Sequence, residues 1–207
     1  MSTSKKTTPY HHGDLRGALI GLALKALEKG GPEALALRSL AEQAGVSGMA
    51  PYRHFADRAA LLEAVARQGF ADLREELRAV DDASDPQKAL VAFGAVYVRF
   101  ACARPGLFRL MFAGAPPTPD DGLAADPNSV FGLFAARIAQ IAPASRRRIA
   151  FLACWSIVHG LACLLVGGRI RQKTHSPAEL AERLGEILLN GLSAEAPGPK
   201  KAKPRQD

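Results

Sequence analysis

Between residues 35 and 60 the chain concentrates side chains that can donate hydrogen bonds or positive charge to a polyanion. These side chains belong to Arg38, Ser47, Tyr52, Arg53, His54 and Arg58. The surrounding apolar residues repeat at helical spacing up to Gly45, where a helix would end, and Ser47 can cap a second helix. Two short helices joined by a glycine-containing turn are the geometry that lays the second helix in the major groove of DNA.

Composition is compatible with this interpretation but names no function. The chain has 207 residues, 48% of them apolar, so one or two domains with a sizeable core are possible. The net charge of +7 suits a polyanionic partner without being diagnostic. Three cysteines without paired spacing argue against a disulfide framework, and the polar N-terminus indicates no signal peptide. We therefore expect a cytoplasmic protein.

The segment resembles the DNA-binding head of TetR-family transcriptional regulators, over roughly residues 10 to 70. The likeness is carried by Leu40-Ala41-Glu42, Gly45-Val46-Ser47, Tyr52-Arg53-His54-Phe55, Asp57-Arg58 and Leu61-Leu62. Two further stretches, at 10–16 and at 155–160, resemble a subgroup of these regulators with a C-terminal Trp-His-Gly element.

The resemblance implies which residues face DNA. Carried over position by position, they are Arg38, Ser47, Gly48, Met49, Ala50, Tyr52, Arg53, His54 and Arg58. Tyr52 and His54 would donate to phosphate oxygens, and Arg58 would add a charged phosphate contact. Arg38 could reach a phosphate or a base edge. Two features depart from the family pattern. Ala36 stands where the first helix of the helix-turn-helix motif usually has a Ser or Thr cap, and residues 48–51 offer no side-chain donor or acceptor.

Helical patterns run through the whole chain, and we predict an all-α protein. It would have an N-terminal three-helix head with a helix-turn-helix and a C-terminal helical bundle for ligand binding and dimerisation. The expected organisation is a flexible arm at 1–9, a DNA-binding domain at 10–70 with its motif at 35–54, a C-terminal domain at 84–192 and a basic disordered tail at 193–207. Predicted helices outside the motif lie at 15–28, 58–80, 87–103, 107–112, 129–141, 145–166 and 177–192, with a stop at Pro105-Gly106 and a loop at 113–127.

By the same resemblance, the C-terminal region builds a ligand pocket and a dimer interface. The pocket candidates are Phe93, Tyr97, Phe100, Phe108, Met111, Phe112, Phe131, Phe134, Trp155 and His159. Aromatic residues at helical spacing also build an ordinary core, so both interpretations stay open. The dimer candidates are Leu180, Leu184, Ile187 and Leu188, one apolar face of the last helix. A cationic run without acids, from 127 to 178, is either a solvated face or a site for an anionic effector near Arg137 and Arg146–Arg148.

No motif predicts enzyme chemistry, and we expect no catalytic residue, metal or cofactor. His11-His12 precede a helix start, His159 has no recognisable Ser or Asp partner, and the cysteines suit small apolar positions or a redox sensor. The 18 residues from Ile149 to Val166 are apolar enough to span a bilayer, but His159 lies at their midpoint and both flanks are basic. A helix that is apolar all round also suits the centre of a bundle or dimer, so no membrane is expected.

The sequence thus predicts a homodimeric transcriptional regulator, a repressor released from a palindromic double-stranded operator by an unknown small-molecule effector. The alternative is a helical small-molecule or redox sensor without strong DNA binding. A membrane-associated helical protein is the third possibility.

Overall fold

In the computed structural model, the residues described are 14–113, 126–171 and 174–193, and all regular structure among them is helical. The predicted arm at 1–9, most of the predicted loop at 113–127 and the tail from 194 lie outside them. The α-helices are α1 (Leu15–Gly30), α2 (Leu37–Gln43), α3 (Arg58–Arg78), α4 (Pro86–Ala103), α5 (Pro105–Met111), α6 (Val130–Ile141), α7 (Arg147–Val166) and α8 (Pro177–Ser193). Single 3-10 turns occupy Pro32–Ala34, Ala50–Arg53 and Ala144–Arg146.

The described chain divides into two compact units. The head unit comprises residues 14–76 and 100–113, and the C-terminal unit comprises residues 77–99, 126–171 and 174–193. In this division α5 belongs to the head unit although it follows α4 in the chain.

The head unit is organised around α1, which packs against α2 and α5. Asp14 caps α1 as its sequence position suggests, because its carboxylate accepts a hydrogen bond from the Gly17 backbone N–H at 2.8 Å. The helix ends at Gly31, whose φ of 69° is a left-handed conformation that favours glycine. Leu19, Leu27 and other apolar residues of α1 are fully buried and form the core of this unit.

The start of α5 corrects the sequence prediction. Pro105 and Gly106 were expected to stop a helix, with the next one beginning at 107, but they form the first turn of α5. The missing N–H of a proline costs least at this position. The carboxylate of Glu28, at the end of α1, accepts hydrogen bonds from the backbone N–H groups of Gly106 at 3.1 Å and Leu107 at 2.8 Å. This cap comes from a residue far away in sequence, so local patterns do not reveal it.

Helix starts in the C-terminal unit follow local capping rules. Asp85 accepts from the Lys88 backbone N–H at the start of α4, and Ser129 accepts from that of Gly132 at the start of α6. Ser176 and Glu179 form a reciprocal capping box at the start of α8, with hydrogen bonds of 2.7 and 3.2 Å. α7 packs against both α6 and α8.

Among the described residues, one helical segment, Ala144–Val166, is long and apolar enough to cross a membrane. The side of α7 that includes Phe151, Cys154 and Val158 is buried within the unit. Its other side leaves Ile149 and Leu164 exposed. A helix with both an inner and an outer apolar side suits a bundle that gains a further partner.

Candidate nucleic-acid interface

Helix α2 and the turn after it form the predicted first half of the motif. Leu37, Leu40 and Ala41 are buried, and Ala36 provides no side-chain cap, as its residue type implies. The chain reverses at Gly45, where φ is 70°. The Gly45 N–H donates to the Glu42 carbonyl, and the next residue's N–H donates to the Ala41 carbonyl at 3.0 Å. This reversal places the following residues beside α2.

The second half of the motif is shorter than predicted and corrects the role of Ser47. A 3-10 turn at Ala50–Arg53, which we call the recognition turn, replaces the expected α-helix. Ser47 contributes its carbonyl, which accepts from the Ala50 N–H at 2.9 Å, and its side chain does not cap the turn. Gly48 and Pro51 both disfavour an α-helical interior, which explains the short element. Pro51 is buried and anchors the turn to the head.

The side chains around the recognition turn are exposed in the pattern expected of a binding surface. Met49 is 70% exposed and Tyr52 is 45% exposed, large values for such apolar side chains. Ser47, Arg53 and His54 are exposed as well, whereas Gly48 and Ala50 are half-buried. The next residue, Phe55, is 3% exposed and belongs to the core. The structure therefore brings most of the predicted DNA-facing residues to one accessible segment.

Arg38 reaches this segment from α2. A Cβ added to Gly48 would lie 3.7 Å from Arg38 Cγ and 3.8 Å from its Nε, so the arginine side chain lies alongside Gly48. Arg38 is exposed, so its guanidinium remains accessible at the edge of the recognition turn. Helix α2 thus supplies a charged side-chain donor beside residues 48–51, whose own side chains have none.

Arg58 has a role that the sequence did not indicate. Its Nε donates to the Leu35 carbonyl at 3.0 Å, and its Nη2 donates to the Pro32 carbonyl at 2.5 Å. Two donors of the predicted phosphate-binding arginine are therefore occupied within the head, where they hold the start of α3 against the segment before α2. Asp57 caps α3 as predicted, accepting from the Ala60 N–H at 2.8 Å.

A second arginine contact was also missed. The guanidinium carbon of Arg16 lies 5.5 Å from the centre of the Phe55 ring, a cation–π arrangement that joins α1 to the end of the motif. The two residues are far apart in sequence, so only the fold brings them together.

Family models identify this architecture. Residues 19–65 match the model of bacterial regulatory proteins of the tetR family, and residues 90–188 match that of a tetracyclin repressor-like C-terminal domain. The chain belongs to the TetR family of transcriptional regulators. The matched N-terminal region contains α2, the recognition turn and the start of α3, so the exposed segment described above lies within the family's N-terminal DNA-binding domain.

Solved structures agree with this assignment. A protein with unknown function from Rhodococcus sp. RHA1 is 32% identical, with alignment over 91% of this chain and 100% of that chain and a TM-score of 0.69. A TetR variant from Acinetobacter baumannii AYE, solved in complex with minocycline, is 24% identical over 85% of this chain and 94% of that one, with a TM-score of 0.61. The TetR-family regulator PfmR from Thermus thermophilus is 19% identical over 84% and 98%, with a TM-score of 0.57. The last two show a common fold only. Among proteins with curated descriptions, none matches the chain.

The residues predicted to line the effector pocket fall into two groups. Phe100, Phe108, Met111 and Phe112 belong to the head unit. Phe93, Tyr97, Phe131, Phe134, Trp155 and His159 belong to the C-terminal unit. Ring contacts occur within the second group, with Trp155 4.8 Å from Phe131 and Phe93 5.2 Å from Phe134 between ring centres. We call these six residues the aromatic cluster.

The aromatic cluster contains a polar chain. The Tyr97 hydroxyl lies 2.9 Å from His159 Nδ1, and His159 Nε2 lies 3.4 Å from Cys163 Sγ. The His159 ring stacks on Trp155 at 4.9 Å with an interplanar angle of 17°. Burial raises the pKa of Tyr97 and that of Cys163, and it lowers the pKa of His159. All three groups are therefore neutral at pH 7.

A small apolar cavity lies beside this cluster, between α4, α6, α7 and α8. Phe134, Cys154 and Leu188 are among its lining residues, and its volume of about 20 Å³ is close to that of one water molecule. It is too small to hold an effector. Burial raises the pKa of Cys154 to about 11, so this thiol behaves as a small apolar wall residue.

Arg137, the first arginine of the candidate anionic-effector site, is already paired with a carboxylate of the same unit. Both Nε and Nη2 of Arg137 donate to the Asp81 carboxylate at 2.6 Å, and this bidentate pair is only slightly exposed. Arg147 donates to the backbone carbonyls of Ala139 and Ala142. These two cations therefore act within the unit, and Asp81, an acid outside the cationic run, balances Arg137.

The predicted dimer face on α8 is only partly accessible. Ile187 is 70% exposed, whereas Leu180, Leu184 and Leu188 are half-buried. Ile149 and Leu164 on α7 are also exposed, and the sequence prediction did not include them. Ile149, Leu164 and Ile187 are exposed large apolar side chains among the residues of α7 and α8 whose burial is described.

Proposed function

We propose that the chain is a cytoplasmic, non-enzymatic transcriptional repressor that binds a palindromic operator as a homodimer and leaves it when a small-molecule effector binds. The observation that carries the proposal is the exposed recognition turn in a TetR-type head. Met49 and Tyr52 have no role in the core, yet the turn that presents them is anchored by buried Pro51 and Phe55. A rigid turn with exposed tips is suited to a groove.

In this proposal the exposed residues have distinct roles on DNA. Tyr52 and His54 donate to phosphate oxygens and fix the register of the head. Met49 and Ala50 meet the thymine C5-methyl group by apolar contact. Ser47, Gly48 and Arg53 lie against the same groove, and Arg53 contacts phosphate or a base edge.

Arg38 is our first choice for guanine recognition. Its side chain lies along Gly48 and remains exposed, and a guanidinium can donate two hydrogen bonds to guanine O6 and N7. The other residues near the tip, from Gly48 to Pro51, cannot form this pair. We assign Arg58 a smaller direct part, because two of its donors already bind carbonyls of the head.

Dimerisation through α7 and α8 would relate two heads by a two-fold axis, and such a dimer binds a palindromic operator. Exposed Ile149, Leu164 and Ile187 supply apolar area that a second copy can bury. Two heads related by a two-fold axis bind half-sites about one helical turn apart.

Effector binding belongs to the C-terminal unit in this proposal. The aromatic cluster offers apolar surface with the neutral polar groups of Tyr97 and His159, which suits an uncharged or aromatic small molecule better than a carboxylate. An effector releases DNA only if it favours a conformation that binds DNA poorly. Trp155, the single tryptophan, reports on occupation of the cluster by its fluorescence.

The proposal is tested by selecting bound fragments from random duplexes with the full chain and then measuring affinity for the selected site. We expect a palindromic consensus, and weaker binding to the selected site for Arg38→Ala, Tyr52→Phe and His54→Ala. Arg67→Ala is the charge control, because Arg67 lies on α3 in an exposed pair with Glu63, outside the recognition surface. If Arg67→Ala weakens binding as much as Arg38→Ala does, binding depends on net charge and the assigned surface is wrong.

A further inference from the structure

Two metal-ligating side chains lie one helical turn apart on α7. His159 and Cys163 are at positions i and i+4, which share one face of a helix. Their Nε2 and Sγ atoms are 3.4 Å apart. With zinc bonds of about 2.3 Å to sulfur and about 2.05 Å to nitrogen, tetrahedral geometry requires a ligand separation of about 3.5 Å. The pair therefore already has the spacing of two ligands of one ion.

Tyr97 supplies the support that a ligating histidine needs. Its hydroxyl lies 2.9 Å from His159 Nδ1, and Tyr97 is fully buried. In the tautomer with a proton on Nδ1, that N–H donates to the tyrosine oxygen and Nε2 presents its lone pair towards Cys163. Metal-bound histidines are usually held by such a partner on the other ring nitrogen. The stacked Trp155 ring further fixes the imidazole plane.

Cys163 is also the most accessible of the three cysteines. It is exposed, whereas Cys102 is half-buried and Cys154 is buried. An aqueous ion can therefore approach this residue from solvent. Among the residues that the structure describes, no group of three or more His, Cys, Asp or Glu could hold a metal, so this is a site with two protein ligands. Two protein ligands leave two positions of a tetrahedral ion for water, one more than the single open position of a catalytic zinc site.

We propose that His159 and Cys163 bind a thiophilic divalent ion such as zinc or cadmium, with Tyr97 as the positioning residue. Thiolate and imidazole ligands favour these ions over magnesium or calcium. On binding, the thiol gives its proton to solvent, the sulfur and Nε2 each donate an electron pair to the ion, and no oxidant is needed. The site lies outside the DNA interface but shares Tyr97, His159 and Trp155 with the aromatic cluster proposed to bind the effector, so its test uses the metal ion alone, without DNA or effector.

The test is a titration of the reduced full-length protein with Cd²⁺ alone, followed by two signals. Ultraviolet charge-transfer absorption reports the cadmium–thiolate bond, and Trp155 fluorescence reports an ion at the stacked imidazole. We expect both signals to saturate together at one ion per chain. Histidines elsewhere in the chain would give neither a thiolate band nor a coincident change in tryptophan emission.

Three variants separate ligation from a structural hydrogen bond. Cys163→Ser keeps a small hydrogen-bonding group beside His159 but removes the soft ligand, so both signals should disappear while the melting curve is retained. Cys102→Ser is the matched control and should titrate like the parent. Tyr97→Phe should weaken binding by about tenfold or more, since loss of an outer partner typically has this effect.

Retention of the thiolate signal in Cys163→Ser would overturn the assignment, because another cysteine would then be the ligand. An absorption change without a matching change in Trp155 fluorescence would overturn the role of His159. Unchanged cadmium affinity in Tyr97→Phe would remove the positioning role of Tyr97.

Discussion

At the scale of single residues, the way the head can read DNA is set by the absence of side-chain hydrogen-bond donors and acceptors at residues 48–51. Residues 48–51 carry no side-chain donor or acceptor, so hydrogen-bond reading of bases passes to neighbours such as Arg38, whose side chain lies along Gly48. Met49 is exposed at the tip of the motif. Apolar contact and the shape of the groove then carry the sequence preference at this position.

Replacing a half-site thymine by uracil tests this interpretation, because it removes only the C5-methyl group. We expect the thymine that faces Met49 or Ala50 to lose about fourfold in affinity, the amount that corresponds to one buried methyl group. The measurement is fluorescence anisotropy with single-position substituted duplexes. Insensitivity of every thymine, together with a preference for guanine opposite Met49, would contradict it.

Arg58 gives a second prediction at this scale. Its hydrogen bonds to the Pro32 and Leu35 carbonyls brace the head, so Arg58→Ala should lower the free energy of unfolding by about 1–2 kcal/mol. Arg67→Ala removes an exposed i,i+4 pair and should change it by less than about 0.5 kcal/mol. Thermal or urea unfolding measures both. Equal stability of the two variants, with a DNA affinity lost only in Arg58→Ala, would instead favour a direct phosphate contact.

At the scale of elements, the sequence predicts what local chemistry controls. The end of α7 at Val166 and the start of α8 at Pro177 agree with the predicted bounds, because a glycine pair follows the first and a capping box precedes the second. The start of α5 was missed because its cap, Glu28, comes from α1. The recognition turn was predicted as an α-helix because a cap at Ser47 would put Pro51 in the first turn, where a proline is tolerated.

Two glycines in the head should respond to alanine in opposite directions. Gly45→Ala places a residue with a side chain in a left-handed conformation at φ 70°, so it should lower the free energy of unfolding by about 1–2 kcal/mol. Steric crowding does not contribute, because no atom lies within 4 Å of the added Cβ. Gly21 lies inside α1 with open space around an added Cβ, so Gly21→Ala should raise the free energy of unfolding by about 0.5–1 kcal/mol. Denaturant unfolding of the pair measures the difference. A stabilising Gly45→Ala would mean that the turn has another geometry.

At the scale of the whole molecule, the family fold accounts for the arrangement of functions along the chain. The head could be located from the sequence because the residues that identify it lie close together in the chain, between 35 and 60. The candidate effector residues could not be sorted in the same way, because the spacing of aromatic residues is the same in a core and in a pocket. Contacts between helices were needed to separate Phe108 and Met111 in the head unit from Trp155 and His159 in the C-terminal unit.

Ile187→Glu tests the proposed dimer. A carboxylate on this exposed apolar position of α8 would be buried unpaired in an interface, so the dimer dissociation constant should rise by about tenfold or more. Val80→Glu is the matched control, since Val80 is also an exposed apolar residue but lies outside α7 and α8. Sedimentation velocity measures both. Dimers of unchanged affinity in Ile187→Glu would place the interface on another face.

The most direct test of the central claim, that this head recognises a specific DNA sequence, is the affinity ratio between the selected duplex and a scrambled duplex of the same composition at physiological salt. Specific recognition predicts that the full-length protein binds the selected duplex about 10³-fold or more tightly. It also predicts that Arg38→Ala lowers this ratio more than it lowers binding to the scrambled duplex. Equal affinity for the two duplexes, with binding lost uniformly as salt rises, would show only charge attraction and would contradict the claim.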